Sequence, residues 1–91
     1  MLIMVEEEIS KKEIGKITHF YNKISVAVIE LTDSLKVGDE IIIEGPTTNI
    51  RQKVDSIQVE HENIEEAEAG TSIGLKVVDR VRENDTVFKV E

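Results

Sequence analysis

The sequence predicts an all-β protein, a small closed six-stranded barrel rich in antiparallel pairs. Three observations carry that reading. Apolar residues fall in short runs dominated by Val and Ile, which are stiff at χ1 and suit a pleated sheet better than a helix. Turn signals separate those runs at intervals of about 8–12 residues, the spacing of small sandwiches and barrels. The segment Leu31–Gly45 shows the pattern most compactly: a strand end, a tight connection through Val37-Gly38-Asp39, then Ile41-Ile42-Ile43. Gly38 suits a turn position of positive φ, and the Asp39 side chain can hold the turn by bonding to nearby backbone.

The six strands follow in order. Residues 1–12 are a short flexible lead-in to a single barrel domain over 13–91. Within the lead-in, Met1–Val5 reads as an edge strand, a cap on the barrel or a frayed end, and Glu6–Lys12 as at most one uncapped helical turn. Glu13–Tyr21 is the first strand, with a bulge near Gly15, and Asn22-Lys23 turns the chain. Ser25–Leu31 is almost wholly apolar, as expected of a strand buried on both faces. Thr32–Lys36 connects, with Leu35 and Val37 plugging the barrel end, and Glu40–Glu44 is the third strand.

Gly45-Pro46-Thr47-Thr48-Asn49 is the clearest loop. Arg51–Glu60 is the longest strand; its apolar alternation slips by one near Asp55-Ser56, the mark of a bulge that bends a strand around a barrel. His61–Thr71 reads as a turn or single helical turn closing on Gly70, with Ile64 and Ala67 toward the core. Ser72–Val78 alternates cleanly, Asp79–Asp85 is a charged connection, and Thr86–Val90 is the last strand.

Composition narrows the function classes. The 91 residues suit one domain, and 40% apolar content suffices for a small core. The chain has no cysteine, which removes disulfides, thiolate metal sites and Cys nucleophiles together. Lys and Arg number 11 against 19 Asp and Glu, a formal charge of −8, so a general nucleic-acid binder driven by counterion release is disfavoured. The short apolar start runs into Glu6-Glu7-Glu8, unlike a signal peptide, and no run reaches the roughly 18–20 apolar residues that span a bilayer. A cytoplasmic location and no membrane partner are therefore expected.

A set of motifs now stands in order: Leu35-Lys-Val-Gly-Asp39, Ile41-Ile-Ile43, Gly45, Val54-Asp-Ser-Ile57, Ile64-Glu-Glu-Ala67-Glu-Ala-Gly70 and Ile73-Gly-Leu75. Together they resemble the β-barrel second domain of translational GTPases such as elongation factor Tu. They look closest to stand-alone elongation-factor-like proteins and to the similar barrel at the C-terminus of U32-family peptidases. The resemblance covers about 13–90 and implies a barrel of the translation-factor domain 2 type. It does not carry over GTP binding, because no Gly-x-x-x-x-Gly-Lys-Ser/Thr loop exists here. By motif order, Gln58 and Ser72 stand where elongation factor Tu has a glutamate and an asparagine that help hold the aminoacyl end of tRNA. Glu83-Asn84-Asp85 stands where those factors commonly have a basic-Gly turn.

Chemistry candidates are few. His19 and His61 lack the companions a metal site or general base needs, and the five acids between Glu60 and Glu68 read as a solvated face. No Ser/His/Asp arrangement is visible, so neither catalysis, a metal nor a cofactor is expected. Thr47, Thr48, Asn49, Arg51 and Lys53, joined by Lys76, Arg80 and Arg82 if the strands lie adjacent, form a candidate rim for RNA or a partner; ordinary charge mixing on strand exteriors is the plainer account. His19, Phe20 and Tyr21 offer either a stacking surface or, for Phe20, core packing. The function expected is a non-catalytic binding module contacting RNA, the ribosome or a protein partner. The alternatives are an accessory subunit of a separately encoded U32-type peptidase-like enzyme, or a self-associating structural domain that forms a homodimer.

Overall fold

The computed structural model describes residues 10–91, and all of their regular structure is strand. The strands are β1 (Lys11–Tyr21), β2 (Val26–Leu31), β3 (Leu35–Lys36), β4 (Glu40–Gly45), β5 (Thr48–Lys53), β6 (Ile57–Val59), β7 (Glu62–Ile64), β8 (Glu66–Ala67), β9 (Ser72–Lys76) and β10 (Thr86–Val90). Eight of them pair in one sheet in the order β5-β4-β10-β1-β2-β9-β6-β7, and β3 pairs with β8 in a small second sheet. Every pairing is antiparallel.

The core is aliphatic. Ile14, Ile17, Ile29, Leu31, Leu35, Ile41, Ile43, Val54, Ile57, Ile73, Leu75 and Val87 are buried in one cluster. At about 25 cal/mol per Å² of apolar area, burial of such side chains is the main favourable term in folding. β2 alternates instead of being buried on both faces: Ala27, Ile29 and Leu31 point inward, while Val26 and Val28 stay half-buried. Its apolar run therefore builds two surfaces, one in the core and one half-buried on the outside.

The expected turns are largely present. Gly38 has φ 98°, and Asp39 Oδ2 accepts from the Lys36 amide at 2.9 Å. The register slips between Glu13 and Gly15, and again between Ile17 and His19, which places the bulge where Gly15 suggested and adds a second. Gly70 adopts φ 89°, and Ala67 and Ile64 pack on the core.

Several expectations need correction. Among the described residues there are ten strands, not six. β1 begins at Lys11, so part of the anticipated lead-in is strand; the readings of residues 1–9 lie outside the described residues. The loop after Gly45 shrinks to a two-residue turn, Pro46-Thr47, because Thr48 and Asn49 pair with Gly45 and Glu44. Leu35 is a core residue and sits on β3, but Val37 is 36% exposed and plugs nothing. His61–Thr71 contains no helical turn. Glu60 and His61 both take positive φ (50° and 68°), the requirement of a tight hairpin turn, and Glu62–Ile64 returns against β6. The long strand breaks at residues 54–56 into β5, paired with β4, and β6, which meets β9 at Gln58 and Gly74.

Closure is not made by a continuous ladder: β5 and β7 are the ends of the pairing series. A side chain crosses the gap between β5 and the end of β9. Gln52 Nε2 donates to the Lys76 carbonyl at 2.9 Å, and its Oε1 accepts from the Val78 amide at 2.9 Å. The Gln52 amide thus does what a strand's peptide group would do. Gln52→Ala should lower stability by roughly 1–2 kcal/mol, two net hydrogen bonds at about 1 kcal/mol each. Urea denaturation checks this; an unchanged midpoint would show that the seam does not depend on Gln52.

Candidate functional site

The residues anticipated as a single rim fall into two groups. Thr47, Thr48 and Asn49 at the β4–β5 turn meet Arg80 and Arg82 across a cleft of about 360 Å³, also lined by Ile50 and Asp79. Arg51, Lys53 and Lys76 do not line it. Arg51 is tied to Glu40 by its Nε, a hydrogen bond that holds the Glu40 carboxyl below its ordinary range. Lys53 is the cross-strand neighbour of Glu40. Lys76 borders a separate depression with Ile24, Val26, Ser56, Gln58 and Gly74.

The cleft is held by local bonding. Gly45 and Thr48 face each other in the last pair of the β4–β5 ladder, which fixes the turn. On the other wall, the Asp79 Oδ1 accepts from the Arg80 amide at 2.7 Å, and the Asp85 Oδ2 accepts from the Arg82 amide at 2.9 Å. The Ile17 amide donates to the Asp85 carbonyl at 2.9 Å, and the Asn84 amide to the Ile17 carbonyl at 2.8 Å, stitching the segment to β1. Val81 is 2% exposed between the two exposed arginines and anchors them from below. Proximity of Arg80 and Arg82 to the Thr-Thr-Asn turn was legible from the sequence only as a conditional pairing.

A second surface was missed. Tyr21 (50% exposed) and Ile24 (60%) stand out from the β1–β2 hairpin and continue onto Val26 and Val28. With Gln58, Glu60, His61, Ser72, Ile73 and Gly74 they enclose a mostly apolar concavity of about 490 Å³ on the outer face of β2, β9 and β6. Gly74 lies on its floor, where a Cβ would make ordinary contact with Val26 Cγ1 at 3.5 Å. Ile24 sits in a turn and Val26 in a run read as core, so neither pointed to a surface. Gln58 and Ser72, singled out by motif order, both line this concavity. Phe20 packs on the core, whereas Tyr21 is exposed with the His19 ring edge-on at 4.4 Å. His19 Nδ1 also lies 3.4 Å from Glu83. Among the described residues no three His, Asp or Glu side chains gather closely enough to hold a metal ion, and no helix is long and apolar enough to cross a membrane.

No model of a protein family matches the chain. It is 46% identical over 79 residues to an uncharacterized protease of Methanocaldococcus jannaschii and 36% identical over 83 residues to a collagenase of Porphyromonas gingivalis. These alignments take in 86% and 89% of the chain but only 19% and 23% of the relatives, so the chain spans about a fifth of the curated relatives it matches. Among solved structures, the C-terminal domain of a Geobacillus thermoleovorans U32 peptidase superposes with a TM-score of 0.80 at 18% identity, covering 86% of this chain and 91% of that domain. The fold is therefore that of a U32 peptidase C-terminal domain. The U32 part of the sequence resemblance is supported; the translation-factor part rests on motif order alone.

Proposed function

We propose that this chain is the non-catalytic, partner-binding barrel of a U32-type peptidase-like enzyme, working in the role of an accessory subunit. The observation that carries the reading is the 46% identity, over 79 residues, to about a fifth of the M. jannaschii protease. An identity of that level over most of the chain goes well beyond shared fold. The six long segments β1, β2, β4, β5, β9 and β10 act as one barrel whose β5–β9 seam is bridged by Gln52.

The docking face is the apolar concavity on β2, β9 and β6. Exposed Tyr21 and Ile24 beside half-buried Val26 and Val28 form the kind of apolar patch, rimmed by polar residues, that marks a protein contact. The acidic total of −8 argues against an RNA backbone as the occupant. The test uses the M. jannaschii relative with its matching segment deleted, offered this chain in trans after nuclease treatment. Co-purification is expected, and Ile24→Asp should weaken it at least about tenfold by placing a charge in the apolar contact. Capture that disappears with nuclease, or that Ile24→Asp leaves unchanged, would overturn the reading.

A further inference from the structure

The geometry points to the cleft between the β4–β5 turn and residues 79–85 as a binding site for a carboxylate group. This goes beyond the accessory-subunit reading and does not depend on it. Three features converge there. Arg80 and Arg82 both line the cleft, and among the described residues neither guanidinium has an ion-pair or hydrogen-bond partner. Thr48, also a lining residue, is only 6% exposed, and its Oγ1 is buried with no hydrogen-bond partner. Buried polar side-chain atoms in folded proteins are seldom left unpaired, so an orphaned hydroxyl in a residue of the cleft wall, where two unpaired arginines also line the cleft, marks polar bonding capacity that the protein's own groups leave unused. Finally, the walls are fixed in advance, by the Gly45–Thr48 pair on one side and the Asp79 and Asp85 backbone bonds on the other.

The chemistry selects a carboxylate. Two arginines and Asp79 leave the lining with a single net positive charge, which matches a monoanion. Guanidinium groups bind carboxylates through paired N–H donors, and the Asn49 amide and Thr47 hydroxyl offer further donors on the opposite wall. A nucleic-acid backbone would instead need a run of cations, and this chain carries eight net negative charges. The carboxylate belongs either to a free small acid or to a peptide chain end.

Nuclear magnetic resonance titration of the isotopically labelled 91-residue chain tests this. The probes are acetate, N-acetylglycylglycine, its C-terminal amide and inorganic phosphate. Both carboxylates should shift the backbone resonances of Thr48, Asn49, Arg80 and Arg82 saturably, and the neutral amide should not. Tighter binding of N-acetylglycylglycine than of acetate assigns the site to a peptide end; equal binding assigns it to small acids. Arg80→Gln with Arg82→Gln should weaken binding by roughly tenfold or more while the remaining spectrum stays that of the folded protein, because both side chains are exposed. The proposal is overturned if no probe shifts these residues, if the amide binds as well as the acid, or if phosphate binds more tightly than either carboxylate.

Discussion

Replacing Gly15 with alanine should destabilise the protein by about 3 kcal/mol, the upper part of the usual overpacking range. Gly15 lies in the middle of β1, paired with Leu31 of β2 on one side and Val87 of β10 on the other. A Cβ at this position would come within 2.5 Å of the Glu30 carbonyl oxygen and 3.0 Å of Ile29 Cγ2. The nearest obstacle is backbone, fixed in the β1–β2 ladder, so no rotamer change removes the clash. Either the two central strands separate or the bulge shifts, and the register of the core residues Ile14 and Ile17 shifts with it. Against a total stability of roughly 5–15 kcal/mol for a domain, such a loss is large. Urea denaturation measures it directly; a midpoint within error of the parent protein would show that the β1–β2 contact is looser than the structure makes it.

Gly45→Ala should be nearly as damaging, at about 2–3 kcal/mol, and for a different reason. Here a Cβ would lie 1.9 Å from Asp85 Oδ1 and 2.6 Å from its Cγ. Asp85 is a short side chain, 2% exposed, whose other oxygen accepts from the Arg82 amide. Making room for the methyl means swinging the carboxylate out of that bond and loosening the segment that presents Arg80 and Arg82. Carboxylate binding at the cleft should therefore fall along with stability. Because the two groups compete for one space, Gly45→Ala combined with Asp85→Ala should cost less than the sum of the single changes. Strict additivity in denaturation measurements would contradict the contact.

The fold was legible where side-chain chemistry acts locally. Val37-Gly38-Asp39 announced its turn because positive φ and a backbone-bonding aspartate are properties of the residues themselves. The slip in apolar alternation near Asp55-Ser56 marked the right place, but it reads as a bulge within one long strand, whereas the chain leaves the ladder there and the strand divides into β5 and β6. What the sequence could not show were effects of pairing between distant segments. Leu35-Lys36 looked like a connection because two residues make no visible pattern, and they become a strand only when Glu66-Ala67 lies alongside. The turn at Glu60-His61 uses positive φ without glycine, so nothing in the local composition marked it. Val26 and Val28 are as apolar as Ala27 and Ile29; only the three-dimensional arrangement decides that the first pair faces outward. The candidate rim followed the same rule. Thr47, Thr48 and Asn49 were adjacent in sequence and stayed together, but Arg51 was claimed by Glu40 across the hairpin while Arg80 and Arg82 arrived from another loop.

The central claim is that this all-β domain docks through its apolar β2–β9–β6 face onto the rest of a U32-type peptidase. The most direct measurement is a binding titration of the chain against the M. jannaschii relative lacking its matching segment, repeated at low and high salt. Burial of Tyr21, Ile24, Val26 and Val28 predicts saturable binding that changes little with salt, because apolar contacts are not screened. Absence of binding, alongside strongly salt-dependent association of the same chain with single-stranded RNA, would contradict the account and return weight to a nucleic-acid role.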